Sequence, residues 1–356
     1  MHQNLLPMNS KAMFFKRFGL LLVAALSIAV VVISVANPQN SLISRIPFIK
    51  SQSINSISGL LGIDGPVLVV KIDDTREAHP QIGLEDADIV YIEQVEGGLT
   101  RLAAIFSSTI PIHVGPVRSA RISDVELLAQ YGHVAFAYSG AQKKMRPVID
   151  GANLEDLGAQ NHSSAIYTTD PTRIQPYAMV LRADLLMQYA KDKELTIETS
   201  KSMGWKFGDA PVGGVAINSV HISWPASSYD ARWSQDEKRW LLDHSSEPDI
   251  AASGKHLGPV TLVIQLVSIT DSIYGDKLGG VTPFSATVGE GRGYILRDGR
   301  CYEALWSRAD ESSGTKWRTK SGEEISFAKG QIWVALTDKE PVFAKKGADA
   351  RNQSLK

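Results

Sequence analysis

The chain has 356 residues, enough for two ordinary domains and a tether. Its 44% hydrophobic and 21% charged content is that of a globular protein, which excludes disorder and full embedding in a bilayer. Lys+Arg (37) and Asp+Glu (38) nearly cancel, so no overall field draws the chain to nucleic acid and none is expected as a partner. A single cysteine, Cys301, rules out an intramolecular disulfide and a cysteine-based metal cluster.

Phe18 to Ala36 (FGLLLVAALSIAVVVISVA) carries no charge. As a helix at 1.5 Å per residue it spans roughly 28 Å, close to the hydrocarbon thickness of a bilayer. Lys11, Lys16 and Arg17 precede it and no acidic residue occurs before Asp64, which keeps the N-terminus inside and exports the rest. The spacing predicts a cytoplasmic N-terminus (1–17) and a transmembrane helix or signal anchor (18–36), a single-pass membrane protein with an extracytoplasmic body. Ser34-Val35-Ala36 also suits a signal peptidase, so cleavage stays open beside anchoring. Residues 37–64, rich in Ser, Asn, Ile and Gly, read as a tether.

From Pro66 the texture changes. Val67–Ile72, Asp88–Val95 and Thr100–Phe106 read as strands, with Gly97-Gly98 as a two-residue hairpin between the last two. That hairpin would set Glu96 opposite Leu99 and Gln94 opposite Arg101, leaving Glu96 and Arg101 as diagonal ion-pair partners. Ser119–Gln130 reads as a helix with Ser123 and Glu126 spaced for a capping box. His133–Ser139 reads as a strand. Tyr177–Lys191 reads as a helix with Ala178, Leu181, Leu185 and Tyr189 on one face. Together these predict an α/β N-terminal domain over 65–197. A linker (198–212) leads to a β-rich C-terminal domain over 213–342, with strands at Val215–Ser223, Trp240–Asp243, Val260–Ile269, Tyr294–Arg297, Cys301–Trp306 and Gln331–Leu336. A loose tail over 343–356 follows.

The densest chemistry lies between Lys71 and Arg121, in KIDDTR, VYIEQVEGGLTRLAAIF and GPVRSAR. Gly115-Pro116 turns the chain so that Arg118, Ser119 and Arg121 meet the start of a helix. Unpaired N–H groups and about half a positive charge sit there. With Arg101 they form a candidate site for phosphate, pyrophosphate or carboxylate. Asp73, Asp74, Glu93, Glu96, Gly97, Gly98 and Gly115 support it, and Asp73 or Asp74 is free for a metal or a proton transfer. The competing reading is that these Arg and Glu residues pair with one another and lock hairpin to helix.

Elsewhere the signals are weak. His79, His113, His133 and His162 lack metal-ligand spacing, so neither a metal site nor a cofactor is expected. GEGRG (Gly289–Gly293) lacks the Lys-Ser/Thr of a phosphate loop and reads as a turn. Cys301 has no positioned base in view and reads as a packing residue. Trp306, Trp317 and Trp333 suit either a sugar-binding face or a core.

GLEDADIVYIEQVEGGLTRLAAIF with VGPVRSAR, and VGEGRGYILRDGRCYEALWSR with GEEISFAKGQIWVAL, resemble the YerB-like family of two-domain bacterial surface proteins without an assigned activity. The likeness runs through most of Pro66 to Asp338. It implies an envelope protein, and many members resemble lipoproteins, whereas this chain offers no cysteine near its N-terminus. The family tends to show Pro-His-Asn-Leu where Asp170–Met179 here reads DPTRIQPYAM, with Tyr177 and Ala178 in place of His and Asn. The order Asp-Asp-x-Arg, strand, strand, Pro-x-Arg-x-x-Arg is also similar in layout to the LytR-CpsA-Psr phosphotransferases. Two functions follow as expectations. One is a binding module for an anionic cell-wall component or a protein partner. The other is an enzyme acting on a polyprenyl pyrophosphate or glycan intermediate.

Overall fold

The structure is a computed structural model that describes residues 53–275 and 279–345, so the expected membrane segment over 18–36 lies outside the described residues. Among the described residues no helix is long and apolar enough to cross a membrane. The strands of the first half are β1 (Leu68–Asp73), β2 (Ile89–Gln94), β3 (Thr100–Phe106), β4 (His113–Val114), β5 (Val134–Ala137), β6 (Leu154–Asp156), β7 (Tyr167–Thr169) and β8 (Met179–Arg182). Helices α1 (Ile122–Ala129), α2 (Arg146–Asp150) and α3 (Ala183–Asp192) lie among them. The second half adds β9 (Val215–Ser223), β10 (Ser228–Ser234), β11 (Arg239–His244), β12 (Glu247–Pro248), β13 (Thr261–Leu266) and β14 (Ile269–Gly275). It continues through β15 (Val281–Ser285), β16 (Gly289–Arg297), β17 (Arg300–Arg308), β18 (Lys316–Arg318), β19 (Ile332–Thr337) and β20 (Val342–Lys345). The described chain is thus mostly β, with few helices.

One sheet runs in the order β12-β11-β10-β9-β17-β16-β13-β19-β2-β3-β1-β5-β6, with β18 on β17 and β20 on β9. The two halves of the sequence share it. β19, near the end of the chain, lies parallel to β2, setting Ile332 opposite Ile89 and Ala335 opposite Ile92. Period-2 alternation sorts the buried side chains onto two faces. Leu68, Val70 and Ile72 of β1 join Leu102 and Ala104 of β3 on the face that packs Leu186 and Ala190 of α3. Val69, Ala103 and Ile105 point the other way, to Leu127 and Leu128 of α1.

Several sequence expectations need correction. The expected Tyr177–Lys191 helix is strand β8 followed by α3, because Met179–Arg182 pairs with both β4 and β7. Sheet pairing captures the β-prone Met-Val-Leu stretch despite its helical spacing, and Leu185 is left exposed. GEGRG is not a turn but the first half of β16, paired with β17 from Gly289 opposite Arg308 onward. Gly291 and Gly293 lie beneath the indoles of Trp306 and Trp317, where a Cβ would come within 3 Å of a ring atom. The tether does not reach Asp64: Ile57 is fully buried, and the Asp64 carboxylate accepts hydrogen bonds from Ser56 and Ser200. Nor is the tail loose from Phe343, since β20 pairs with β9. Trp306, Trp317 and Trp333 are all buried, which removes the sugar-binding face.

A candidate anion cleft and a buried histidine cluster

The β2–β3 connection spans five residues rather than two. Gln94 faces Thr100 and Glu93 faces Arg101, so Val95–Leu99 forms the turn, closed by Val95 N–H donating to Leu99 C=O. Gly97 and Gly98 both take positive φ (70° and 75°), open to glycine at little cost. A Cβ on Gly98 would lie 2.4 Å from the Pro225 ring, so this turn is seated against the second half of the chain. The shifted register removes the expected Glu96–Arg101 pair. Glu96 turns instead to Arg121, receiving Nε and Nη2 at 2.8 and 2.7 Å.

The start of α1 also differs from expectation. Arg121 is the residue before the helix, and the Asp124 carboxylate accepts its backbone N–H at 2.6 Å. Ser123 and Glu126 form no capping box. They reach across to the loop after β15, where Ser123 Oγ accepts from Ser285 N–H and Glu126 accepts from Thr287 and Val288.

Arg101, Arg118, Ser119 and Arg121 come together on the wall of a cleft of about 1110 Å³, with Asp73, Glu96 and Tyr177. Lys143 and Arg146, exposed at the same cleft, add charge that the sequence reading missed. KKMRP, just past the sequence window that drew attention, was the available signal. Two of the three arginines have carboxylate partners. Arg118 Nε lies 2.5 Å from Asp73, and its guanidinium carbon sits 5.7 Å over the Tyr177 ring, a cation–π contact. Asp73 also accepts from the backbone and hydroxyl of Thr75, so both its oxygens are engaged.

Arg101 is different. It is 9% exposed, donates only to the Ser119 carbonyl at 3.0 Å, and has no carboxylate within ion-pair distance among the described residues. Burial, with Arg121 and Arg118 beside it, pushes its pKa down to about 9. An arginine keeps its proton at neutral pH, so the site holds a buried cation with no directly paired carboxylate among the described residues.

Glu93 does not occupy these arginines. It faces Lys71 at 2.7 Å, and Lys71 meets Asp124 at 2.6 Å, all three fully buried behind the cleft. Burial, followed by the Asp124 charge, pushes Glu93 up to about 8. Gly115 sits where a Cβ would meet the Met179 carbonyl at 3.0 Å, which holds the Gly115–Arg118 segment against β8.

Asp74 is not in the cleft. Alternation along the strand end sends it to the opposite face, where it accepts from Tyr229 (2.6 Å), Thr100 (2.5 Å) and Gln81 (3.4 Å). His79 Nε2 and His244 Nε2 approach it at 3.6 and 3.8 Å. The two imidazoles stack at 4.6 Å, and Asp249 meets His79 Nδ1 at 3.1 Å. Burial alone would lower the His79 pKa, but Asp249 and Asp74 override it and push it up to about 10. The charges of His244 and His79 likewise hold Asp74 low against burial. Histidine spacing could not reveal this group, because His244 lies far along the chain from His79. His113, His133 and His162 stay outside it. Cys301 is buried in β17, its thiol pushed up to about 12, and carries no nucleophile.

Models for the N-terminal and C-terminal domains of "Protein of unknown function (DUF3048)" match residues 60–196 and 220–334. "Putative lipoprotein YerB" of Bacillus subtilis (strain 168) is 25% identical over 276 residues, covering 76% of this chain and 80% of that protein. A crystal structure of the YerB protein from Bacillus subtilis shares the fold at a TM-score of 0.70 and 19% identity, over 83% of this chain and all of that one. The chain belongs to the DUF3048, or YerB-like, family.

Proposed function

We propose that the protein is a membrane-tethered envelope binding module that takes an anionic group of a cell-wall component or protein partner in the arginine cleft. The carrying observation is Arg101, a buried guanidinium with no carboxylate partner between two further arginines. Five basic side chains (Arg101, Arg118, Arg121, Lys143, Arg146) face two acidic ones (Asp73, Glu96) in one cleft. A phosphate or pyrophosphate entering it gains charge-assisted hydrogen bonds and relieves an existing cost. The relative's name, "Putative lipoprotein YerB", supports the envelope setting, with Phe18–Ala36 as the membrane anchor in this chain. The phosphotransferase reading is weaker on two counts: Asp74 faces away, and both oxygens of Asp73 are occupied.

The test is calorimetric titration of the full chain in detergent with inorganic pyrophosphate, alongside co-sedimentation with purified cell wall. Arg118→Ala with Arg121→Ala should weaken both at least tenfold. Unchanged binding in the double variant removes the cleft from the account.

A further inference from the structure

We propose that Asp74, His79 and His244 form a binding site for a divalent transition-metal ion, zinc by ligand type, between the two halves of the chain. Two imidazole nitrogens and one carboxylate oxygen are the donor set of open zinc sites, which leave a fourth position to water or substrate. A tetrahedral ion with bonds of about 2.0–2.1 Å sets its ligand atoms roughly 3.4 Å apart. His79 Nε2 lies 3.6 Å from Asp74 Oδ1 and His244 Nε2 3.8 Å from Asp74 Oδ2, and one ligand atom from each residue lies within 4.8 Å of the others, so the set must draw together to reach that spacing. Stacked rings 4.6 Å apart cannot both aim an in-plane lone pair at one point, so binding an ion turns at least one imidazole out of the stack.

The surroundings are those of a ligand set. Asp249 accepts from His79 Nδ1 at 3.1 Å, which leaves Nε2 as the nitrogen on the Asp74 side. Gln81 Nε2 lies 3.1 Å from that Nε2 and would turn aside for an ion. Thr100 and Tyr229 orient the Asp74 carboxylate, each through one hydroxyl, leaving further lone pairs on both oxygens.

Burial points the same way. Asp74 and Asp249 are each 1% exposed, which places two carboxylates beside two imidazoles in one buried group. Two buried polar atoms here, Asp249 Oδ2 and Gln81 Oε1, have no hydrogen-bond partner. The set is not sealed, since His79 and His244 both line a small cavity of about 230 Å³, a path by which an ion and water enter. Asp74 and His79 come from the first half of the chain and His244 from the second, so the ion would also staple the halves together. Asp74, His79 and His244 do not line the arginine cleft, and Thr100, which does, joins the two by donating to Asp74.

Tag-free full chain, stripped with a chelator and dialysed against micromolar Zn²⁺, should retain one equivalent by elemental analysis and unfold at a higher temperature than the stripped form. Substituting either ligand, His79→Gln or His244→Gln, should weaken retention at least a hundredfold, and Asp249→Asn roughly 10- to 100-fold. Exposed His113→Gln should bind as the parent does. Co²⁺ loaded into the unsubstituted protein should show the intense visible absorption of a tetrahedral site, a readout that needs no variant to fold. A parent chain that retains no zinc and gives no such spectrum overturns the proposal, as does equal retention by the His79→Gln/His244→Gln double variant.

Discussion

Arg101→Met separates a ligand-binding arginine from a structural one, because the two roles predict opposite signs. The side chain is 9% exposed with one hydrogen bond, to the Ser119 carbonyl, and no carboxylate partner. Replacing a buried charge by an apolar side chain of similar volume is commonly neutral or stabilising by about 1–4 kcal/mol. The lost bond to Ser119 offsets part of this, leaving a net gain of about 1–2 kcal/mol. At on the order of 2–4 °C per kcal/mol for a body of this size, the variant should melt roughly 2–8 °C higher in the absence of ligand. Anion affinity should move the other way. One charge-assisted hydrogen bond of about 1.5–3 kcal/mol corresponds to pyrophosphate binding roughly 10- to 100-fold weaker. Differential scanning fluorimetry with and without pyrophosphate reads both, since a ligand at 100 times Kd adds about 2.7 kcal/mol to the parent and little to the variant. A variant that melts lower by a comparable amount and binds pyrophosphate as the parent does refutes the reasoning and makes Arg101 a structural strut.

Glu96→Gln should tighten anion binding about tenfold, since it releases Arg121 from its two-pronged partner while an amide can still accept from Thr282; a titration showing weaker binding would mean that the pair shapes the cleft rather than competing for it. Glu93 makes stability depend on pH in a fixed direction. Burial pushes its pKa up to about 8 from the ordinary 4.5 of a glutamate, so the folded state binds the extra proton and stability falls as pH rises between those values, then levels off. Urea unfolding at intervals from pH 5 to 9 should show a shallower slope in Glu93→Gln than in the parent, since His79 adds a slope of the same sign, and equal slopes in the two would assign the effect to another group.

Much of the sheet was legible because its strands are apolar runs between glycine and aspartate turns. Thr100–Phe106 and Val215–Ser223 stand in the structure with the bounds the pattern gives. Meeting of Arg101, Arg118 and Arg121 was foreseeable because they lie within one antiparallel hairpin and the segment following it. Their pairing was not. A five-residue turn in place of a two-residue one shifts every cross-strand partner, so Glu96 faces Arg121 and Glu93 falls to Lys71. Side-chain spacing gave a helix at Met179–Arg182, where two strands were waiting on either side. Trp306 and Trp333 were ambiguous in sequence, as aromatic residues of a β structure are equally at home in a core and on a binding face.

The deepest failure of proximity reasoning sits in two consecutive residues. Asp73 and Asp74 look like one acidic unit, yet an extended backbone sends neighbours to opposite faces. Asp73 therefore meets Arg118 at the mouth of a basic cleft, and Asp74 meets two imidazoles and a tyrosine hydroxyl brought in by the second half of the chain. The same β1 end feeds two polar groups of different chemistry, one rich in guanidinium groups and one built of carboxylates and imidazoles. Neither group is complete within one half: Thr282 lines the cleft beside Glu96, and His244, Tyr229 and Asp249 build the histidine cluster. A strand from the end of the chain inserted next to β2 makes both junctions unavoidable, since it fixes the second half against the β2–β3 turn from which both polar groups extend. The two halves of this chain thus act chemically as one body, and a fragment carrying only the first would hold the arginines without Thr282 and Asp74 without its histidine from β11.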